Sequence, residues 1–136
     1  MAQESDPRGC VDAWIEGAAR GLPVDALLEV FQQAFDALWR RAQLTLGDVT
    51  LMAIVDRVLY NAAERFPALS SLTVEPAGLR TEPLRKRPRS LDKDELLEGI
   101  RFVLVEFLTV LGNLTAEILT PALHAELAKA ARQEAK

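Results

Sequence analysis

The chain has 136 residues, a length that fits one domain and is sufficient to bury a hydrophobic core. A net charge of −4 argues against nucleic-acid binding by the whole surface, and a single cysteine excludes a disulfide framework or a cysteine zinc site within one chain. No apolar run reaches the ~18 residues of a membrane span, and the N-terminus lacks the pattern of a signal peptide, so we expect a cytoplasmic protein.

The N-terminal part of the chain predicts a tail followed by a short helix. Residues 1–9 are polar and are predicted to be disordered, and we expect a single helical domain over residues 10–134. The first helix is indicated by apolar residues that share one helical face: Val11, Trp14, Ile15 and Ala18. Gly21 is predicted to end it.

Two longer helices are predicted next. Pro23 suits the first turn of the second helix, where its missing N–H costs nothing. The second helix carries an apolar stripe at spacings of three and four, formed by Leu28, Phe31, Phe35, Leu38 and Ala42. Thr45, followed by Asp48, predicts the N-cap of the third helix, and Pro67 predicts its end. The stripe of the third helix is Met52, Val55, Leu59, Ala62 and Phe66.

Residues 67–91 interrupt the helical pattern with prolines and positive charge. The stretch "LTVEPAGLRTE" predicts a small hairpin around Pro76-Ala77-Gly78, with a mobile loop as the alternative. A basic cluster follows, formed by Arg85, Lys86, Arg87 and Arg89, with Arg80 and Lys93 nearby. It is either a solvated loop or a binding site for a protein partner with an acidic surface. Because no aromatic residue lies within the cluster to stack on a base, nucleic acid is not the expected partner.

The last long helix has the most regular apolar pattern in the chain. Asp92, with Glu95 three residues later, predicts its N-cap, and the helix is expected to run from Lys93 to Thr120, about 42 Å. Its seam is Leu97, Ile100, Leu104, Phe107, Leu111, Leu114 and Ile118, with a second row of Leu96, Val103 and Val110. This wide apolar face predicts an all-α helical bundle of about four helices that associates as a homodimer. Pro121 is expected to kink the helix or to start a new one with Thr120 as its cap.

The residue types give little support for catalysis. The chain has one histidine, His124, and no nucleophile motif or phosphate-binding loop, so neither an enzyme activity nor a metal or cofactor is expected. A candidate polar strip along the last helix is formed by Glu106, Asn113, Glu117, Thr120 and His124. Such a strip lines a pocket or an interface, or it is the solvated edge of a bundle helix.

Residues 112–121, "GNLTAEILTP", resemble the H-box of the histidine-kinase dimerisation and phosphotransfer family, whose usual form is close to ANMSHEIRTP. The matching positions are Asn113, Glu117, Ile118, Thr120 and Pro121. The resemblance implies a long helix in a dimeric four-helix bundle, kinked by the proline. Ala116 stands where the family has its acceptor histidine, so phosphorylation at this position is not carried over.

These patterns together favour a non-enzymatic helical signalling or adaptor module that acts through protein–protein contacts. Two alternatives remain open at this point. One is a histidine phosphotransfer protein that uses His124. The other is a small-ligand sensor with a pocket in the bundle, near the edge that carries Glu106 and Asn113.

Overall fold

A computed structural model describes residues 7–75, 78–81, 92–115 and 118–134. In chain order its helices and strands are α1 (Pro7–Trp14), a π-helical turn (Ile15–Ala19), α2 (Val24–Leu46), α3 (Asp48–Arg65), a 3₁₀ turn (Pro67–Ser71), β1 (Thr73–Glu75), β2 (Gly78–Arg80), α4 (Lys93–Leu114) and α5 (Thr120–Glu134). The prediction of an all-α helical bundle is confirmed. In the described part of the chain, none of the helices combines the length and hydropathy that a membrane span requires.

Helix α1 begins inside the segment that was predicted to be a tail. Its first residue is Pro7, which fits there because the first N–H groups of a helix have no intrahelical partner. Three residues of the predicted tail are therefore helical, and residues 1–6 lie outside the described residues. The helical segment ends at Ala19, two residues before the predicted Gly21, whose φ of 83° favours glycine in the turn that follows.

The junction between α2 and α3 differs from the prediction. Thr45 does not cap a helix, because α2 continues to Leu46. The N-cap of α3 is Gly47, which has a φ of 81° and donates its N–H to the carbonyl of Gln43 at 2.9 Å. Only a residue without a Cβ adopts this backbone conformation without strain, so the glycine decides the position of the turn.

The core follows the predicted stripes closely. Every predicted stripe residue of α2 is buried. Phe35 of α2 stacks on Phe107 of α4, with ring centroids 4.8 Å apart. On α3, Leu51 is buried where Met52 was expected, and Met52 packs at the edge of the core. Gly99 of α4 lets the 3₁₀ turn approach closely, because a Cβ at this position would lie 2.5 Å from Cδ1 of Leu69.

The predicted hairpin is present between the 3₁₀ turn and α4. Strands β1 and β2 pair antiparallel, with Thr73 opposite Arg80, and the turn residues 76–77 lie outside the described residues. The hairpin packs on α2 and α3. It is anchored by the buried Thr81, whose hydroxyl donates to Oε1 of Gln32 at 2.9 Å.

The long helix predicted for residues 93–120 is broken in the structure. Asp92 is its N-cap, as predicted, and accepts from the N–H of Asp94 at 3.0 Å. The helix ends at Leu114, and the hydroxyl of Thr115 donates to the carbonyl of Leu111 at 2.8 Å.

A separate helix, α5, then begins, so Pro121 starts a new helix rather than kinking the long one, and Thr120 is the first residue of that helix rather than its cap. The physical reason is that a proline inside a continued helix removes one hydrogen bond and crowds the preceding turn, whereas in the first turn it costs neither. Helix α5 packs mainly against α2, α1 and the π-helical turn, and less against α4.

Candidate functional site

The predicted basic cluster, Arg85, Lys86, Arg87 and Arg89, lies outside the described residues. Its two neighbours are described. Arg80 is partly buried at the end of β2, and Lys93 is the first residue of α4. The cluster therefore stays a sequence-based prediction.

The predicted polar strip is divided between two helices. Glu106 and Asn113 lie on α4, Thr120 and His124 lie on α5, and Glu117 lies outside the described residues. Asn113 is exposed, whereas Thr120 is buried. Because the helix is broken after Leu114, these side chains do not follow one continuous helical edge.

The only histidine and the only cysteine of the sequence lie next to each other. The thiol of Cys10 on α1 donates to the backbone carbonyl of His124 on α5, with 3.9 Å between sulfur and oxygen. Burial raises the pKa of the Cys10 thiol to about 11, so the thiol is protonated near neutral pH and is a poor nucleophile. The Nε2 atom of His124 is buried. Within the described ranges, no group of three or more histidine, cysteine, aspartate or glutamate side chains is placed to hold a metal ion.

The segment that resembles the H-box is only partly described. Ala116 and Glu117 lie outside the described residues. Among the described matching positions, Asn113 and Ile118 are exposed and Thr120 is buried. The segment spans the end of α4 and the start of α5, so it is not part of one long helix as the resemblance implied.

Large apolar side chains are exposed at two helix junctions, that of α2 with α3 and that of α4 with α5. Leu114 and Ile118 flank the junction of α4 and α5, with 59% and 79% of their surface exposed. Leu44 and Val49 flank Gly47 at the junction of α2 and α3, at 81% and 86%. Leu114 and Ile118 had been predicted to belong to the buried seam, and they leave it because α4 ends before the seam does.

A depression of about 290 Å³ lies where α1, α3 and α4 meet, and we refer to it as the α3–α4 pocket. Helix α4 supplies residues from one face, at spacings of three and four. The lining consists of three arginines, two glutamates and three apolar side chains: Arg8, Arg65, Arg101, Glu98, Glu106, Phe66, Phe102 and Val105. The pocket thus combines both signs of charge with three apolar side chains.

Two contacts hold arginines of the α3–α4 pocket in place. Asp12 accepts from Arg101, with 2.7 Å between Nε and Oδ1 and 3.3 Å between Nη2 and Oδ2. This hydrogen bond, helped by the charge of Arg101, lowers the pKa of the Asp12 carboxyl below its ordinary value of 3.8. The guanidinium of Arg65 lies 5.1 Å from the centroid of the Phe102 ring, an arrangement that favours a cation. Phe66 lies beside Phe102, with ring centroids 6.0 Å apart.

Sequence reasoning identified Glu106 but not the rest of the α3–α4 pocket. Its residues come from positions as distant as 8, 65 and 101, and no local pattern connects them. A signal was present on α4, where Glu98, Phe102 and Glu106 recur every four residues outside the predicted seam. No protein-family model, curated protein or solved structure matches this chain.

Proposed function

We propose that this protein is a non-enzymatic helical adaptor or signalling module that associates with a second copy of itself through the α4–α5 junction. The observation that carries the proposal is the exposure of Leu114 and Ile118. Both continue the apolar seam of α4 in sequence, yet in the part of the chain that the structure describes both side chains are mostly exposed. Exposed aliphatic residues that extend a core seam are suited to packing against a partner.

A second copy is the partner that this arrangement favours. In a two-fold dimer the same surface is used by both protomers, so each exposed side chain contributes twice. Burying one such side chain yields on the order of 1–2 kcal/mol, so the four together contribute roughly 4–8 kcal/mol. This gain is comparable to the cost of lost translational and rotational freedom, about 4–15 kcal/mol, so neighbouring residues must contribute as well. Because these four side chains alone do not exceed that cost, we expect a reversible dimer rather than a permanent one.

Sedimentation velocity over a concentration series tests this proposal. The wild-type chain should sediment as a dimer at micromolar concentration. Leu114→Ser and Ile118→Ser should each shift the equilibrium to monomer. Leu44→Ser is the matched control, because Leu44 is equally apolar and exposed but lies at the other junction. A strictly monomeric wild type, or equal effects of all three substitutions, would contradict the proposal.

The adaptor role also includes a second partner, a protein with an acidic surface. The positive charge of four residues supports such a partner: Arg85, Lys86, Arg87 and Arg89. Replacing all four by serine should leave the melting temperature nearly unchanged. It should also weaken binding to an acidic partner, and the residual binding should depend less on salt. A fall of many degrees in the melting temperature would instead assign these side chains to the folded core. The signalling role rests on the resemblance of "GNLTAEILTP" to the H-box.

A further inference from the structure

The charges in the α3–α4 pocket are not fully used by contacts within the protein. Glu98 and Glu106 lie on the same face of α4, about 12 Å apart along the helix axis. Among the residues that the structure describes, neither glutamate forms an ion pair, although three arginines line the same pocket. The pocket therefore offers two carboxylates and the guanidinium of Arg65 to a ligand at the same time.

The mixture of charges selects against ligands with a single charge. An anion would approach two carboxylates, and a cation would approach the guanidinium of Arg65 and its neighbours. A ligand that carries one positive and one negative group satisfies both. The contact of Arg65 with the Phe102 ring and that of Arg101 with Asp12 restrict these side chains before a ligand arrives, which lowers the entropic cost of binding.

The apolar side chains in the lining and the size of the pocket restrict the class of ligand further. Phe66, Phe102 and Val105 provide the apolar part of the lining, and the Arg65 guanidinium lies beside the Phe102 ring. The volume of about 290 Å³ is close to the lower limit of small-molecule pockets, roughly 300 Å³. The ligand is thus a small molecule with an apolar group rather than a nucleotide or a long peptide.

We propose that the α3–α4 pocket binds a free α-amino acid with an aromatic or branched apolar side chain. The carboxylate of the ligand pairs with Arg65, and its ammonium group pairs with Glu106. Glu106 is preferred over Glu98 because it is less exposed, and a charge pair is stronger where water is partly excluded. The apolar side chain lies against Phe66 and Phe102. This site is separate from the self-association surface and does not depend on it.

Calorimetric titration with L-phenylalanine and L-leucine tests the proposal on the full chain. Two comparison compounds separate the charges: 3-phenylpropionate lacks the amine, and 2-phenylethylamine lacks the carboxylate. We expect at least one of the two amino acids to bind. Each comparison compound should bind to the same pocket at least about tenfold more weakly than L-phenylalanine, because a charge-assisted hydrogen bond is lost. Binding of 3-phenylpropionate as tight as that of L-phenylalanine would overturn the proposal and leave a simple anion site.

Three variants connect the binding to the named residues. Arg65→Gln and Glu106→Gln should each weaken amino-acid binding at least about tenfold. Arg57→Gln is the control, because Arg57 is an exposed arginine of the same helix that does not line this pocket. All three variants should melt like the wild type without ligand, so a change in affinity is not a folding defect. The proposal fails if neither amino acid binds at millimolar concentration, or if Arg57→Gln weakens binding as much as Arg65→Gln.

Discussion

The contact between Gly99 and Leu69 allows a prediction in which two opposing effects are compared. Gly99→Ala adds a methyl group to the buried side of α4. This Cβ would lie 2.5 Å from Cδ1 and 3.2 Å from Cγ of Leu69, a side chain that is only 1% exposed in the 3₁₀ turn. A rotation of the Leu69 methyl groups relieves the first contact but not the second, because Cγ does not move with them.

The magnitude follows from the two terms. Alanine is favoured over glycine inside a helix by about 1 kcal/mol. Adding a methyl group to a well-packed core costs about 1–3 kcal/mol, and because Leu69 is enclosed we take about 2 kcal/mol. The free energy of unfolding should therefore fall by about 1 kcal/mol. For a chain of this length the melting temperature should fall by about 4 °C.

Urea unfolding followed by tryptophan fluorescence measures this difference, since Trp14 and Trp39 are both buried and report on the core. The control is the same substitution in a Leu69→Ala background, where the methyl group enters the space of the removed side chain and meets Cγ of Phe66 at an ordinary contact distance of 3.5 Å. There Gly99→Ala should raise the stability by about 1 kcal/mol, which gives a coupling energy of about 2 kcal/mol. A stabilising effect of Gly99→Ala in the wild-type chain would refute the reasoning, because it would mean that the 3₁₀ turn moves away at no cost.

Three further predictions concern single side chains. Asp92→Ala removes the N-cap of α4 and should lower the free energy of unfolding by about 1 kcal/mol in urea titrations, whereas no loss would show that the cap is replaced. The rate at which the Cys10 thiol reacts with a disulfide reagent should rise toward pH 11 in the folded chain, and near its ordinary pKa of 9.0 in urea. The stability of the fold should fall as the pH rises between these two values, because the thiol of the unfolded chain ionises first. Equal midpoints of the two rate profiles would contradict the burial of the thiol. Arg101→Met should return the pKa of the Asp12 carboxyl toward 3.8 in an NMR titration. The stability from this ion pair is present above pH 3.8 and is lost as the pH falls through the lowered pKa, so an unchanged titration curve in the variant would exclude the Asp12–Arg101 hydrogen bond in solution.

Periodicity predicted the parts of the fold that depend on local spacing. The stripe of α2 is buried in full, and the Asp92 cap and the short hairpin are present. These features are determined by side chains within a few residues of one another. The sequence pattern predicts these features because the residues that make up the pattern are the ones that form the contacts.

The two corrected junctions depend on backbone effects that apolar spacing does not report. At the α2–α3 junction, the predicted cap Thr45 lies inside α2, and the turn forms at Gly47, whose φ is positive. After α4, the apolar seam continues to Ile118, but α4 ends at Leu114. Pro121 then lies in the first turn of α5 instead of the interior of one long helix. The α3–α4 pocket was missed for a third reason: Arg8, Arg65 and Arg101 come together only in the folded chain.

The packing of α5 on α1 has a consequence for the order in which the chain folds. Cys10 and His124 touch across 114 residues, and α5 also covers α2 and the π-helical turn. During synthesis, α1 is made before the other described helices, and α5, one of its main neighbours, is made after them. Helix α1 buries Val11 and Trp14 in the finished protein, and it lacks one of its main neighbours until α5 is available. Contacts of such long sequence separation slow folding, and the delay makes α1 the helix most in need of protection on the ribosome.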